Sequence, residues 1–235
     1  MTRIDPKRLL LLSTSTVFGS GYLEYARVEV CDFLGHAKSV LFVPFALRDQ
    51  DSYTAKAAAC FAEMGFDLKS LHQSSAMHQA VDQAEAIFVG GGNTFRLLKT
   101  LYDFDLLPAI RKRVMSGMPY IGSSAGSNVA GPTIGTTNDM PIVQPPSFEA
   151  LGLVDFQINP HYLETDPAST HMGETREERI LQFLEENDMP VVALREGAIL
   201  WVENGLIKLR GVAGARLFRR GEDPAELLPE DEVVV

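Results

Sequence analysis

Cysteine and basic residues are both scarce in this sequence of 235 residues. The two cysteines, Cys31 and Cys60, cannot build a disulfide framework. Neither Cys-x-x-Cys nor His-Glu-x-x-His occurs, so the sequence carries no zinc motif. The 21 Lys and Arg residues against 31 Asp and Glu residues give a net charge of −10. That balance disfavours a nucleic-acid binder, because such proteins need a basic face.

Long apolar runs are also missing. No run approaches the roughly 18 residues needed to cross a bilayer. The run at 9–12 is too short for an export signal, whose apolar region spans about 7–15 residues. These absences predict a cytoplasmic protein with free, buried thiols, and with neither a membrane nor a nucleic acid as partner.

Short apolar runs alternate with stretches at helical spacing through the first half of the chain. The runs at 9–12, 40–43 and 86–89 are typical of buried parallel strands. Residues 51–64 predict a helix that begins at Asp51 or Ser52. This alternation predicts an α/β fold with a mostly parallel, doubly wound sheet and helices on both of its faces.

The second half of the chain is more mixed. Residues 131–150 contain four prolines and predict a long loop. Asn204-Gly205 separates two apolar runs and predicts a C-terminal β-hairpin. Residues 222–235 hold six acids and no base, which predicts a solvated tail. We therefore expect one domain over residues 1–221, followed by an acidic tail at 222–235.

The strongest local motif is Gly122-Ser123-Ser124-Ala125-Gly126. It follows the apolar pair at 120–121 and precedes a short helical run. In this context G-x-S-x-G lifts the middle serine above the edge of the sheet, and the next N–H points at a developing oxyanion. The pattern predicts Ser124 as a nucleophile with Ala125 as an oxyanion donor, although small residues also suit a turn that only packs.

A serine nucleophile needs a base, and the sequence offers five histidines. His161 follows an apolar run and Pro160, which predicts a position at the carboxyl edge of the sheet, where ligands bind in α/β folds. His171 lies in a polar loop and is less constrained. An orienting carboxylate is also needed. Asp139 and Glu196 are both candidates, and their spacing along the chain does not choose between them.

The triple glycine at 90–92 follows another predicted strand and opens a helix. A phosphate cradle is one interpretation, but neither G-x-G-x-x-G nor Gly-Lys-Ser/Thr is present. The better interpretation is that the Gly92 N–H is a second oxyanion donor beside Ala125, since such a site needs two donors.

Together these stretches closely resemble peptidase E, the α-aspartyl dipeptidase family of cytoplasmic serine peptidases. The resemblance runs in family order from the first strand to about residue 210. It rests on Gly90-Gly91-Gly92-Asn93-Thr94-Phe95, the Ser124 motif, Pro132-Thr133-Ile134, Thr136-Thr137-Asn138-Asp139-Met140-Pro141-Ile142-Val143, Ile158-Asn159-Pro160-His161 and Gly173-Glu174-Thr175-Arg176-Glu177.

The resemblance implies a fold like that of class I glutamine amidotransferases, with serine in place of cysteine at the sharp turn between strand and helix. It implies Ser124 as the nucleophile and His161 as the base. Both Asp139 and Glu196 match family residues that have been given the orienting role, and we favour Asp139 because it gives the chain order Ser, Asp, His.

The resemblance also implies the substrate, a small peptide with an N-terminal aspartate. Arg176 matches the arginine expected to bind the aspartate carboxylate, and Asn93 is expected to contact the substrate too. No metal or cofactor is implied, and a monomer or homodimer is expected. Two alternatives stay open: a cyanophycinase-like hydrolase of β-aspartyl-arginine units, and a non-catalytic ligand-binding protein on the same scaffold.

Overall fold

The computed structural model describes residues 5–165, 168, 170 and 173–235, so His171 lies outside the described residues. The strands are β1 (Arg8–Leu12), β2 (Ser39–Val43), β3 (Asp67–Ser70), β4 (Ile87–Val89), β5 (Tyr120–Ser123), β6 (Gln157–Tyr162), β7 (Val191–Arg195), β8 (Ala198–Glu203), β9 (Leu206–Gly211), β10 (Ala215–Phe218) and β11 (Ala225–Leu227). The helices are α1 (Arg27–Leu34), α2 (Gln50–Glu63), α3 (Met77–Gln83), α4 (Thr94–Asp103), α5 (Leu106–Met115), α6 (Ala125–Asn128) and α7 (Arg176–Glu186).

The larger sheet has seven strands in the order β3-β2-β4-β5-β1-β8-β9. Strands β1 to β5 are parallel, and the β8–β9 hairpin adds two antiparallel strands at one edge. Alternate residues of these strands feed two apolar cores, because successive side chains point to opposite faces. One core contains the buried faces of α1 and α2, and the other contains those of α3 to α6. The predicted fold class is therefore confirmed.

A second sheet of four strands, in the order β11-β10-β7-β6, was not expected from the sequence. His161 was predicted at the carboxyl edge of the main sheet, and its strand β6 lies in this second sheet instead, beside β7, which precedes Glu196. The long segment 131–150 contains no helix or named strand, so it supplies no crossover that would return the chain to the main sheet. Leu11 and Val89 share one buried core with Ile158 and Leu194, so the two sheets pack together.

The acidic segment 222–235 is not a solvated tail, and that prediction was wrong. Strand β11 pairs antiparallel with β10, and the Val233 N–H donates to the carbonyl of Ile207 at 2.8 Å. Leu227 and Val233 are buried between exposed acids, and their transfer from water favours docking over solvation. The amino-acid composition of the segment does not show this docking, because its six acids outnumber its two buried apolar residues. The expectation of one domain over residues 1–221 stays a prediction.

The structure corrects one smaller prediction and confirms another. Helix α2 begins at Gln50, because the Asp49 carboxylate accepts the Ser52 N–H at 3.0 Å and caps the helix. Asn204 and Gly205 have positive φ values and close the β8–β9 hairpin as predicted.

The two cysteines are free and half-buried, where fully buried thiols had been expected. The Cys60 thiol donates to the carbonyl of Tyr22 at 3.2 Å. Within the described ranges, every helix is too short or too polar to cross a membrane.

Replacing Val233 with alanine tests whether the C-terminal segment contributes to stability. Val233 is 4% exposed, so Val233→Ala should lower the free energy of unfolding by about 1–2 kcal/mol. Val234 is 69% exposed and provides the matched control, for which we expect a change below about 0.5 kcal/mol. Urea unfolding of the three proteins measures both values. Equal stability of the two variants would mean that the segment does not dock.

Candidate active site

Ser124 lies in a strained turn between β5 and α6. Its φ of 53° and ψ of −110° lie outside the common regions for a residue with a side chain. The Ser124 N–H donates to the carbonyl of Leu12 at 3.0 Å, which fixes the turn to the end of β1. A Cβ at Gly126 would lie 2.0 Å from the carbonyl oxygen of Val89, so only glycine fits there. Close packing against two strands therefore maintains the strain at Ser124.

His161 lies near the end of β6, where the register with β7 shifts between Asn159 and Tyr162. Its φ is 56°, and this backbone turns the imidazole toward the main sheet. The Nε2 atom lies 2.9 Å from Ser124 Oγ. The two residues that the sequence suggested as base and nucleophile therefore meet at hydrogen-bonding distance, although they come from different sheets.

Ser13 holds the backbone of His161 in place, and sequence reasoning missed this role. Its buried hydroxyl accepts the His161 N–H at 2.9 Å and donates to the carbonyl of Leu194 at 2.8 Å. One hydroxyl thus links the end of β1 to both β6 and β7. The only available signal was a polar residue directly after a buried parallel strand, where ligand sites lie in α/β folds.

Glu196 is the carboxylate that contacts the imidazole. Its Oε1 lies 2.8 Å from His161 Nδ1. Glu196 follows β7 directly, and the preceding residue, Arg195, forms ion pairs with Glu164 and Glu226. These two carboxylates raise the pKa of Arg195. The two ion pairs of Arg195 hold the β7–β8 turn, which places Glu196 beside the imidazole of His161.

The preference for Asp139 as the orienting acid is corrected by this geometry. Asp139 Oδ2 accepts the N–H of Thr94 at 2.7 Å and its hydroxyl at 2.6 Å. A carboxylate at the first residue of α4 is well placed, since helix N-termini favour negative charge. Asp139 therefore ties the loop at 131–150 to α4 and does not hydrogen bond to His161.

Asn93 also has a different position from the one expected of a substrate contact. Its Oδ1 accepts the N–H of Arg96 at 3.0 Å and caps α4, and its Nδ2 donates to the carbonyl of Met140 at 2.8 Å. Both polar groups of the side chain are thus used within the protein. Asn93 anchors the loop at 131–150 instead of offering a free amide to a ligand.

Gly92 and Ala125 present backbone N–H groups near Ser124. In the part of the chain that the structure describes, neither N–H donates to a protein acceptor. Gly92 has a φ of +136°, and a Cβ there would lie 2.8 Å from the carbonyl oxygen of Ala46. The neighbouring Gly91 N–H donates to the Tyr53 hydroxyl at 2.9 Å, which fixes the glycine loop beside Ser124.

Arg176 is the first residue of α7 and is half-buried. Among the described residues, its guanidinium has no ion pair and no hydrogen bond. Burial lowers the pKa of Arg176, and so does the charge of Arg179, whereas the charge of Asp139 raises it. An unpaired, partly desolvated guanidinium is suited to bind a carboxylate in two parallel hydrogen bonds.

A cleft of about 660 Å³ opens onto Ser124 and His161. A second, much smaller cavity shares these two residues and reaches Ala125 and Asn128. In the ranges that the structure describes, no three His, Cys, Asp or Glu side chains are grouped to hold a metal ion. The reactive side chains that the structure brings together beside the cleft are those of Ser124, His161 and Glu196.

Comparison with known proteins places this site in a family. The model for peptidase family S51 matches residues 9–210. The chain belongs to peptidase family S51. A peptidase E of Streptomyces coelicolor is 56% identical over 219 residues, which cover 93% of this chain and 90% of the relative.

Two further comparisons are with a sequence relative and with a solved structure. A Drosophila melanogaster protein named "probable alpha-aspartyl dipeptidase" is 50% identical, with 95% of this chain and 94% of that protein covered. The crystal structure of a peptidase from an acI-B1 Actinobacterium has a TM-score of 0.72 at 18% identity, and 97% of each chain is covered. That structure supports the fold, and the sequence relatives establish that this chain is a peptidase.

Removing the Ser13 hydroxyl tests its importance for the site. Ser13→Ala leaves the His161 N–H without its acceptor, so the free energy of unfolding should fall by about 1–3 kcal/mol. Peptidase turnover should fall as well, because the imidazole loses its position. The Ser15 hydroxyl has no partner in the described chain, and Ser15→Ala should change stability by less than about 0.5 kcal/mol. Wild-type turnover and stability in Ser13→Ala would contradict this role.

Proposed function

We propose that this peptidase is a serine dipeptidase that hydrolyses dipeptides with an N-terminal aspartate through an acyl-enzyme on Ser124. The observation that carries the proposal is the His161 imidazole, which lies 2.9 Å from Ser124 Oγ and 2.8 Å from Glu196 Oε1. Serine, histidine and carboxylate in this order of contacts match a catalytic triad. The name of the Drosophila relative supports the choice of substrate.

In the first half of the reaction, Ser124 Oγ attacks the carbonyl carbon of the aspartyl residue. His161 Nε2 takes the hydroxyl proton, and the N–H groups of Gly92 and Ala125 stabilise the oxyanion. When the tetrahedral intermediate collapses, the imidazolium gives the proton to the leaving amine. The C–N bond breaks, the second amino acid leaves, and the aspartyl ester on Ser124 remains.

In the second half, water replaces the leaving amine. His161 takes one proton from the water while the water oxygen attacks the ester carbonyl. The same two N–H groups stabilise the second oxyanion. Collapse returns the proton to Ser124 Oγ and releases aspartate. Throughout, Glu196 accepts a hydrogen bond from Nδ1–H, which keeps the free electron pair on Nε2 and stabilises the imidazolium.

Arg176 is the residue we assign to the aspartate side chain. The protein carries a net charge of −10, so long-range attraction does not favour an acidic substrate. A local cation is required, and the half-buried Arg176 guanidinium is free within the described chain. A desolvated arginine pairs with a carboxylate more strongly than a solvated one does, and its fork matches the two oxygens.

Location and assembly follow from the proposal only as predictions. A peptidase acts on a peptide, and we infer a small free peptide as the substrate because the cleft holds about 660 Å³. We predict a cytoplasmic enzyme that acts as a monomer or homodimer, without a nucleic-acid partner.

The substrate and the nucleophile are tested together by hydrolysis assays with Asp-Leu, Asn-Leu, Ala-Leu and a cyanophycin-like polymer. Wild-type protein should cleave Asp-Leu best, and Ser124→Ala should lose about 10⁴–10⁶-fold in kcat while it stays folded. Ser123→Ala is the matched control and should keep the triad contacts. Preferential cleavage of the polymer would indicate a cyanophycinase, and no hydrolysis of any substrate would indicate a binding protein.

A second comparison decides between the two acids. Glu196→Gln should lower kcat by up to about 10⁴-fold, because an amide neither fixes the histidine tautomer nor stabilises imidazolium. Asp139→Asn should cost less than about tenfold, since an amide oxygen still accepts the Thr94 N–H. Steady-state kinetics on Asp-Leu measures both values. If Asp139→Asn were the inactive variant, the orienting role of Glu196 would be wrong.

A further inference from the structure

The main cleft extends beyond Ser124 on a side that the proposed reaction has not used. Besides Ser124 and His161, it is lined by the loop after β1 and by α2, including Tyr22, Ser52 and Lys56. The smaller cavity lies on another side of the same pair and reaches Thr94, Ala125 and Asn128. Asp139 lines both cavities. The smaller cavity, at about 20 Å³, holds no more than a water-sized group, so most of a dipeptide bound at Ser124 lies in the main cleft.

Arg176 lies on the side of α4, near Asp139, whereas Lys56 is on α2, which packs on the opposite face of the main sheet. The charge of Asp139 acts on the Arg176 guanidinium, whereas Arg176 does not line the main cleft. If the aspartyl residue lies on this side, the leaving residue extends into the larger space toward Lys56. That leaving residue carries the free C-terminal carboxylate of the dipeptide.

Among the residues that the structure describes, Lys56 is the only Lys or Arg that lines the main cleft. The same walls carry Asp49 and Asp139, so a peptide carboxylate that enters meets like charges. A free C-terminal carboxylate held there needs a positive counter-charge. The substrate of an endopeptidase needs none, because its chain continues past this point and carries no free carboxylate there. The charge distribution of the cleft thus fits a substrate that ends after one further residue.

The Lys56 ammonium is available for this contact. Its Nζ lies 4.7 Å from the centre of the Tyr22 ring, and no carboxylate of the described residues pairs with it. The acids around it are engaged elsewhere, because Glu63 pairs with Arg27 at 2.7 Å and Glu24 accepts the N–H of Gly21.

The Tyr22 ring restrains the Lys56 ammonium without neutralising it. Burial raises the pKa of Tyr22 well above its usual value, so this ring stays uncharged and keeps its neutral face toward the lysine. The lysine is thereby held at the cleft with its charge unpaired.

We propose that Lys56 binds the free carboxylate of the leaving residue and so restricts the enzyme to dipeptides. This assignment rests on the proposed aspartyl dipeptidase function and names the second half of its substrate site. Lysine suits the task, since its ammonium is a point charge that accepts a carboxylate in several orientations. The contact acts on binding of substrate and transition state alike, so it should appear in KM more than in kcat.

The test compares Asp-Leu with Asp-leucinamide, which lacks the carboxylate. Wild-type protein should prefer Asp-Leu by up to about fivefold in kcat/KM, the upper end of the effect of one ion pair at an exposed lysine. Lys56→Met should lose this preference by raising KM for Asp-Leu, and it should leave Asp-leucinamide within about twofold. Lys56→Arg should retain most of the preference. Lys112→Met provides the matched control, because Lys112 is exposed on α5, which packs on the opposite face of the sheet.

Equal losses on both peptides in Lys56→Met would overturn the proposal, because Lys56 would then support the fold or read the aspartate. A wild-type protein that does not distinguish the peptides would overturn it too. Calorimetric binding of both peptides to Ser124→Ala and to Ser124→Ala/Lys56→Met separates this proposal from the proposed function. Carboxylate-dependent binding that needs Lys56, without turnover by the wild type, would refute the dipeptidase activity and leave the contact established.

Discussion

The Ser13 hydroxyl joins the two sheets at the point where the reacting groups meet. It accepts the N–H of His161 and donates to the carbonyl of Leu194, so it bonds to two strands of the second sheet while its own backbone continues the first. Buried donors and acceptors without partners are costly, and this arrangement satisfies both. The 2.9 Å contact between His161 and Ser124 depends on that connection, because the two residues lie on different sheets.

Ser124 and His161 both have a backbone with positive φ. Ser124 has a φ of 53° and His161 a φ of 56°. Such conformations are unfavourable for residues with a side chain, and they persist when neighbouring contacts determine them fully. Here the contacts are the carbonyl of Leu12 for the serine and the hydroxyl of Ser13 for the histidine. Two consecutive residues at the end of β1 therefore stabilise both strained positions.

The sequence predicted those features that depend on neighbouring residues. The parallel strands, the turn around Ser124 and the Asn204-Gly205 hairpin each follow from short patterns of apolar, small or turn-forming residues. The identity of the orienting acid depends instead on the register of β6 and β7 and on the turn after Arg195, and spacing along the chain does not encode these. Asp139 lies nearer to His161 in sequence, but its carboxylate is bound to Thr94.

The second sheet and the C-terminal strand were missed for a related reason. Residues 222–235 hold six acids and no base, and the prediction of a solvated tail followed from that charge. Two apolar residues of the segment determine its structure, since Leu227 and Val233 reach the shared apolar core. The charge of the segment does not show which of its apolar residues are buried.

The apolar layer between the sheets has a consequence for how substitutions in this protein should be understood. Leu11 and Val89 from one sheet and Ile158 and Leu194 from the other fill this layer, and together they set the spacing between the sheets. A core that is packed as densely as a crystal transmits a change of one methylene as a small displacement of its walls. Because a hydrogen bond tolerates only a few tenths of an ångström, such a displacement separates the imidazole from the serine before it unfolds the chain. In this molecule, catalytic geometry is thus a property of the core as much as of the cleft, and conservative exchanges far from Ser124 act on both at once.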